Sequence, residues 1–326
     1  MAKLITLDDF IDTYCKLIQR GKGFIFSKFT FNNLSRTKSA FDNTAVSASN
    51  WWIIPKVRQR WNFLISGDKN INYKQYLVSK YLKNQKNLKL LSLGSGVCSH
   101  ELELAEYKEV FKEITCVDIA SNLLDIAIEK AKSNHLNNIK FICKSIYEFD
   151  LKENEYDVVL FNSSLHHFDN IDVLLSEKIK HTLKPKGNLI INEFVGATRH
   201  QFSKEQLLEI NSTLNIIPKK YRRRFKTNLY KNQFRGVGLL RMIVSDPSEC
   251  IDSSSIIPSV HKHFTVIEEK AIGGNLLANV LRDISHHFLD LDAEKEQVLE
   301  NLFKIEDKFL ESNSSDFVLG FYENKA

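Results

Sequence analysis

The chain has 326 residues, 43% of them hydrophobic, and a formal net charge of +5 at pH 7. This length and composition allow one large core or two modest ones, and they exclude a fold that depends on disulfides or metals for its stability. The five cysteines lie far apart without metal-ligand spacing, no stretch is long enough to span a bilayer, and the first residues show no signal pattern, so we expect reduced thiols and a cytoplasmic location.

Residues 1–86 are predicted to form a helical N-terminal cap. A helix is expected over residues 73–82, and Trp51, Trp52 and Trp61 precede it in an aromatic and basic segment. Because an idle tail would not carry so much aromatic surface, we expect this cap to act as a lid over a binding cleft.

From residue 88 to about residue 195, short apolar runs alternate with amphipathic helical stretches, which is the pattern of parallel strands joined by crossover helices. One helix is predicted over 121–134 with Ser121 as its N-cap, and another over 172–183. The second helix is expected to end in a turn at 184–187, where Pro185 cannot continue it. Strands are predicted over 88–93, 114–119, 139–143, 156–162 and 188–194.

The remainder of the chain is predicted to add helices and two late strands. Helical periodicity covers 203–214, 275–288 and 293–310, and strands are expected over 264–269 and 317–322 as an antiparallel pair at the sheet edge. The fold class is therefore α/β, with a doubly wound, seven-stranded, mostly parallel sheet and helices on both faces. We expect a main domain over 87–326 with a helical insertion at about 197–260.

A glycine-rich turn follows the first predicted strand directly and precedes a helix. Gly94, Ser95 and Gly96 let the backbone pass close to a nucleotide-like ligand, with amides at the helix start facing it. Some twenty residues on, the second strand ends at Asp118, whose carboxylate can accept hydrogen bonds from both ribose hydroxyls. This pair fits a dinucleotide-binding dehydrogenase as well as other adenosine-binding enzymes.

The order of the further motifs resembles that of class I S-adenosylmethionine-dependent methyltransferases over roughly residues 87–195. It includes the strand end at 143–146, the strand and loop over 156–167, and the Leu-Lys-Pro-x-Gly sequence at 183–187. The resemblance implies a methyltransferase domain over 87–326 with S-adenosylmethionine as cofactor. The cofactor-binding residues that it implies are Gly94, Ser95, Gly96, Asp118, Ile119, Ser145, Ile146, Asn162 and Ser163.

The chain departs from the family pattern at three positions. Cys98 stands where a third glycine is usual, Ser92 replaces a common acidic residue, and Ser145 replaces a frequent aspartate near the adenine. These departures predict reduced or rearranged cofactor contacts. They leave open a catalytically silent partner protein that has the same cofactor-binding fold.

Methyl transfer is an in-line displacement, so the enzyme aligns the acceptor and, for a hydroxyl, removes its proton. His166 and His167 follow the fourth strand, and either is our first candidate for the base. Glu193, at the end of the fifth strand, is expected to orient a histidine or to act as base itself. Arg199, His200 and Gln201 are predicted to contact the acceptor, and no metal is expected.

The acceptor class follows from a second, less specific resemblance. Residues 193–201, 246–249 and 273–277 are similar to bacterial methyltransferases of surface-polysaccharide or secondary-metabolite pathways, which implies a small-molecule or sugar acceptor that is methylated on a hydroxyl. Asn162 lacks the Pro-Pro-aromatic continuation typical of base N-methyltransferases. An RNA or protein methyltransferase is the alternative.

The basic cluster over residues 219–226 leaves three interpretations open. It fits a phosphorylated small substrate, RNA phosphates, or a solvated helix face without ligand. We expect a small-molecule partner rather than nucleic acid, and no membrane span.

Overall fold

The structure is a computed structural model that describes residues 3–20 and 50–325; residues 21–49 of the predicted cap lie outside the described residues. The chain divides into two compact units, each built from three segments. Unit one comprises Met1–Asn70, Gly196–Glu249 and Ala271–Phe317, and unit two comprises Ile71–Val195, Cys250–Lys270 and Val318–Ala326. The predicted boundary after residue 86 and the insertion at 197–260 stay predictions.

Within the described residues, seven strands form one sheet in the order β3-β2-β1-β4-β5-β7-β6. The first five are parallel, and the late strands add an antiparallel hairpin at the edge, which confirms the predicted fold class. Their bounds are β1 Leu88–Leu93, β2 Phe111–Asp118, β3 Ile139–Cys143, β4 Tyr156–Asn162, β5 Leu183–Phe194, β6 Phe264–Gly273 and β7 Phe317–Asn324.

The helices largely follow the predicted stretches, because apolar residues recur on one face of each. The sixth runs without a break through Ile171–Val173, Leu174–Ile179 and Lys180–Thr182, and the third continues into the π-helical turn Val78–Leu82. The bounds are α1 Leu7–Arg20, α2 Pro55–Ser66, α3 Tyr73–Leu77, α4 Ser99–Ala105, α5 Ser121–Ser133, α6 residues 171–182, α7 Lys204–Ile216, α8 Leu239–Ser245, α9 Ile256–His263, α10 Leu277–Leu281 and α11 Ala293–Leu310. No described helix is both long and apolar enough to cross a membrane.

Two local predictions were wrong. Ser121 does not cap α5, because the N-cap position falls on Ala120, whose amide hydrogen bonds to Asp118 Oδ1 at 2.8 Å. The sequence at 184–187 is not a turn before the fifth strand, because β5 already begins at Leu183. Leu183 pairs with Tyr156 and Asn188 with Val158, so the intervening residues form an irregularity within the strand.

Each unit has its own hydrophobic core. In unit two, side chains of β1, β4 and β5 pack with those of α6 and α9. In unit one, Trp51 is buried and packs edge-on against Trp61 at 5.0 Å between ring centroids, and both rings contact Phe317. Trp51 and Trp61 thus serve this core, and their aromatic surface no longer argues for a lid.

Candidate active site

The glycine turn after β1 is held by the end of β2 and by the loop after β4. The amide of Gly94 donates to Val117 O at 2.8 Å, and Gly94 has a φ of +69°. A Cβ at Gly94 would lie 2.7 Å from Ser164 Cβ, so a side chain cannot fit there without moving the β4 loop. Ser164 Oγ in turn donates to Leu93 O at 2.6 Å, which fixes the two loops to each other.

Asp118 lies beside this turn. Its Oδ2 accepts from the Gly96 amide at 2.7 Å and its Oδ1 accepts from the Ala120 amide at 2.8 Å. Gly96 has a φ of +54°, a conformation that favours glycine. Each carboxylate oxygen can accept a second hydrogen bond. Asp118 therefore shapes the turn and can still accept a ribose hydroxyl.

Cys98 occupies the position of the usual third glycine at a backbone cost. Its φ is +52°, and its side chain is fully buried at the start of α4. A left-handed conformation costs a residue with a Cβ about 1–2 kcal/mol. Cys98 thus adopts a backbone conformation that favours glycine, although it carries a side chain.

A buried carboxyl lies beside Ser92. Glu101, on α4, accepts from Ser92 Oγ at 2.7 Å, and its Oε2 is buried without a hydrogen-bond partner among the described residues. Burial raises the pKa of Glu101, although the Ser92 hydrogen bond acts against this. The sequence analysis did not identify Glu101. The signal that could have indicated it is an acidic residue in the helix after the glycine turn, in a chain that has Ser92 where an acid is common before the turn.

Three residues near the ends of β1 and β4 were also missed. The buried Tyr73 donates from its hydroxyl to Asn162 Oδ1 at 2.9 Å. Its ring contacts that of His100 at 5.5 Å between centroids, and Lys74 Nζ lies 3.2 Å from His100 Nδ1. Burial, assisted by Lys74, lowers the pKa of His100 to about 3, so this imidazole is neutral. The helical signal over 73–82 located α3 but not the direction of these side chains.

The other predicted cofactor residues lie at the ends of β2, β3 and β4, on the same edge of the sheet. Ser145 Oγ accepts from the Tyr147 amide at 3.3 Å, and Ile146 is buried. Asn162 Oδ1 also accepts from Asn192 Nδ2 at 2.8 Å, and Ser163 has a φ of +51°. The structure therefore brings together Gly94, Ser95, Gly96, Asp118, Ile119, Ser145, Ile146, Asn162 and Ser163 at the carboxyl edge of one sheet.

Glu193 organises the loop that carries the histidines. It is fully buried at the end of β5, and its Oε1 accepts from the amides of Ser164 and, at 2.7 Å, Leu165. Its Oε2 lies 2.6 Å from Nδ1 of the buried His166. One carboxylate thus holds the short helix Leu165–His167 and the imidazole that it carries. His167 is half-buried, with its ring centroid 4.3 Å from that of His166.

Arg199, His200 and Gln201 lie in unit one. Arg199 Nη1 donates to Glu249 O at 3.0 Å, and His200 Nε2 lies 3.3 Å from Glu249 Oε1. Gln201 Nε2 donates to Val237 O at 3.0 Å. Arg199 and His200 have φ values of +54° and +49°. Two consecutive side-chain-bearing residues in this region store backbone strain.

The basic cluster is not one continuous surface. Arg224 is buried and forms an ion pair with Asp283, whereas Lys220 pairs with Glu294 at 2.5 Å. Lys231, further along, is fully buried and donates to Arg282 O at 2.6 Å. Part of the cluster therefore stabilises unit one, and Lys219, Arg223 and Lys226 are exposed.

Comparisons with known proteins agree with the α/β fold and with the position of the glycine turn within it. Residues 84–235 match a family model described as a methyltransferase domain. No curated protein matches the chain significantly in sequence.

Among solved structures, phospholethanolamine N-methyltransferase 2 of Haemonchus contortus, in complex with phosphomonomethylethanolamine and S-adenosylhomocysteine, is similar over 89% of this chain and 61% of that one, with 14% identity and a TM-score of 0.50. The [4+2]-cyclase SpnF is covered over 100% of both chains at 12% identity and a TM-score of 0.47. An S-adenosylmethionine-dependent methyltransferase of Aquifex aeolicus is matched over 46% of this chain and 74% of that one, at 16% identity and a TM-score of 0.35. At 14% identity, the similarity to the first establishes the fold.

The seven-stranded sheet has the Rossmann-like methyltransferase fold, and residues 84–235 match a methyltransferase domain. The matched domain indicates a methyltransferase, the class of enzyme that the sequence analysis associates with S-adenosylmethionine. The residues present fit that group, because two glycines with positive φ keep side chains out of the turn and Asp118 keeps acceptor capacity beside it.

Proposed function

We propose that the enzyme methylates a hydroxyl of a small-molecule or sugar acceptor, with His166 as general base and Glu193 as the residue that positions it. The observation that carries this proposal is the 2.6 Å contact between Glu193 Oε2 and His166 Nδ1. A carboxylate that accepts a hydrogen bond from Nδ1–H selects the tautomer in which Nε2 carries the lone pair. Nε2 is then the atom that takes a proton from the acceptor.

The cofactor supplies an electrophilic methyl group on a sulfonium sulfur. In our proposal Gly94, Gly96 and Asp118 hold its nucleoside portion. Burial of His166 and Glu193 keeps water away from the base, and the Glu193 carboxylate stabilises the imidazolium formed after proton transfer. Alignment and one proton transfer are all that the protein needs to contribute.

The acceptor side of the proposal keeps Arg199, His200 and Gln201 as contacts. Support comes from the strained backbone at Arg199 and His200, since strain of this kind clusters at ligand-binding positions. A surface-polysaccharide or secondary-metabolite pathway and a cytoplasmic location also remain proposals. The latter is supported by the five cysteines, all described and all free thiols.

The test begins with calorimetric titration of S-adenosylmethionine and S-adenosylhomocysteine into the protein and into Asp118→Ala. The exposed acid Asp125, on α5, provides the matched control Asp125→Ala. We expect binding to the parent and the control, and at least about a tenfold loss in Asp118→Ala, because two ribose hydrogen bonds to a charged acceptor disappear.

The second step measures S-adenosylhomocysteine release with panels of hydroxyl- and amine-bearing small molecules. With an accepted hydroxyl substrate, His166→Ala should lose about 10²-fold or more in kcat. Methylation of amines alone would contradict the proposal. Loss of activity in His167→Ala but not in His166→Ala would assign the base to His167 instead.

A further inference from the structure

Helix α1 has its charged face turned inward and its apolar face turned outward. Asp8, Asp9 and Asp12 are buried, whereas Leu4, just before the helix, and Phe10 are 62% and 65% exposed. This is the reverse of the usual arrangement on a protein surface. The exposed apolar residues of this segment are Leu4, Ile5, Leu7, Phe10, Tyr14 and Ile18.

The orientation of α1 is fixed by ion pairs and hydrogen bonds within unit one. Asp9 Oδ1 accepts from the Gly238 amide and from Arg241 Nε, both at 2.9 Å. Asp12 Oδ2 lies 3.1 Å from nitrogens of both Arg241 and Arg282. Rotating the helix to bury its apolar residues would break these pairs and leave the aspartates, buried or exposed, without their partly buried arginine partners, at a cost in stability.

Helix α8 extends the same apolar surface. The amides of Leu239 and Leu240 donate to the carbonyls of Lys3 and Leu4 at 2.9 and 3.1 Å, so the two segments adjoin. On α8, Leu240, Ile243 and Val244 are 48%, 40% and 40% exposed. We call the exposed residues of these two segments the apolar face.

The exposed charges near the apolar face are basic. Residues 219–245 contain nine basic and no acidic residues; Lys220, Arg224 and Arg241 pair with acids of unit one and Lys231 is buried, whereas Lys219, Arg223 and Lys226 are exposed. The acidic residues of the 3–20 segment are the three buried aspartates. Arg223 and Lys226 are exposed, and Gln19 Nε2 donates to Phe225 O at 3.1 Å, which places them beside the end of α1. A second copy related by a two-fold axis would oppose these cations with cations. An anionic surface complements them.

We propose that the apolar face docks on the surface of a bilayer that contains anionic lipids. Leu and Phe side chains enter the boundary between headgroups and acyl chains, as in an interfacial amphipathic helix, and the neighbouring Lys and Arg residues contact lipid phosphates. In an ordinary interfacial helix a solvated polar face lies opposite the apolar face. In α1 the opposite face carries aspartates that pair with arginines of unit one, and these pairs hold the apolar side outward. The proposal is independent of the acceptor and assigns a role to the exposed part of the basic cluster.

The test is co-sedimentation of the full chain with phosphatidylcholine vesicles, with and without phosphatidylglycerol. We expect binding to the anionic vesicles that weakens as salt concentration rises, and a loss of about tenfold in Leu7→Ser/Phe10→Ser. The matched control is Phe63→Ser, because Phe63 is 52% exposed on α2 and lies outside the apolar face. Thermal unfolding of each variant verifies that it is folded.

A charge-reversed variant tests the second part of the interaction without touching the apolar residues. Arg223→Glu/Lys226→Glu should bind anionic vesicles about tenfold more weakly, because each basic residue near an anionic surface contributes electrostatic attraction to the binding free energy. Its binding should also no longer depend on salt concentration. Absence of binding to anionic vesicles would overturn the proposal. So would a change from dimer to monomer in Leu7→Ser/Phe10→Ser, because a second copy would then cover the face.

Discussion

The Cα of Gly94 faces the loop after β4 so closely that a methyl group there would overlap Ser164. Gly96, two residues on, shares the positive φ, but its nearest neighbour to an added Cβ is Leu123 Cδ1 at 4.0 Å. The two glycines of the turn therefore serve different needs. Gly94 is required by close approach, and Gly96 by backbone conformation.

This difference predicts unequal costs for two alanine substitutions. Both Gly94→Ala and Gly96→Ala place a Cβ in the left-handed region, which costs about 1–2 kcal/mol. Gly94→Ala should lower the unfolding free energy by a further 1–3 kcal/mol or so, because of overpacking against Ser164. Hydrogen exchange of the β1 and β4 amides measures both variants, and equal protection in the two would contradict the structure.

Among the elements, β5 and the short helix Leu165–His167 depend on each other through Glu193. The strand supplies the carboxylate and the helix supplies two amides and an imidazole. Sequence alone could locate the strand, because its apolar run is clear, and could place the two histidines after β4. It could also name Glu193 as a residue that orients a histidine or acts as base. It could not show that the carboxylate also accepts from the amides of the loop, because that depends on how neighbouring strands align.

Glu193→Ala should therefore destabilise unit two by about 3 kcal/mol, because buried donors lose their acceptor. Glu155→Ala is the control: Glu155 is half-exposed and pairs with Lys89 at 3.7 Å, so we expect a change below about 1 kcal/mol. Urea unfolding followed by circular dichroism measures both. Similar losses in the two variants would show that Glu193 is not an anchor of the loop.

Helix α1 depends in the same way on Asp9, which accepts from the Thr6 amide at 2.7 Å as well as from Gly238 and Arg241. In Asp9→Ala we expect amides of residues 7–20 to exchange at least about tenfold faster, because detachment of the helix then costs at least 1.4 kcal/mol or so less. Thr13→Ala is the control, since Thr13 is exposed and its hydroxyl bonds within the helix to Asp9 O. Unchanged exchange in Asp9→Ala would exclude the anchor.

At the scale of the whole molecule, the strands could be predicted from the sequence more readily than the long-range contacts of the cores. The nearly continuous apolar run of residues 156–162 is recognisable as a strand whatever surrounds it. The packing of Trp51 against Phe317 in one core cannot be recognised in this way, because the two residues are more than 250 positions apart in sequence. The irregularity in β5 could not be predicted for a related reason. Pro185 and Gly187 indicate a turn from the local sequence, but Leu183 pairs with Tyr156, so the strand begins before them.

The pH dependence of unit one should reflect Glu306, which is fully buried and accepts from the Leu276 amide at 3.0 Å. Burial raises the pKa of Glu306 from 4.5 to about 7. Between these values the folded state retains a proton that the unfolded state has released, so the unfolding free energy falls as pH rises through that range. The contribution is on the order of 3 kcal/mol by the end of the window.

Glu306→Gln, which fixes the neutral form, should remove this fall and make unit one more stable than the parent above pH 7 or so. All three tryptophans lie in unit one, so their fluorescence during urea unfolding reports it. The comparison with the parent is needed because burial lowers the pKa of His286 to about 4, which acts in the opposite direction. Glu311→Gln, at an exposed position, serves as control.

The position of β7 between β5 and β6 has a consequence for synthesis on the ribosome. A chain emerging from its N-terminus can form β1 to β5 early, but β6 has no neighbouring strand in the sheet until residues 317–324 have been made. Until then the backbone N–H and C=O groups on the β7 side of β5 have no partner strand, and such an edge can pair with other nascent chains. Slow decoding before residue 317 would therefore favour aggregation, whereas chaperone binding to the incomplete sheet would suppress it.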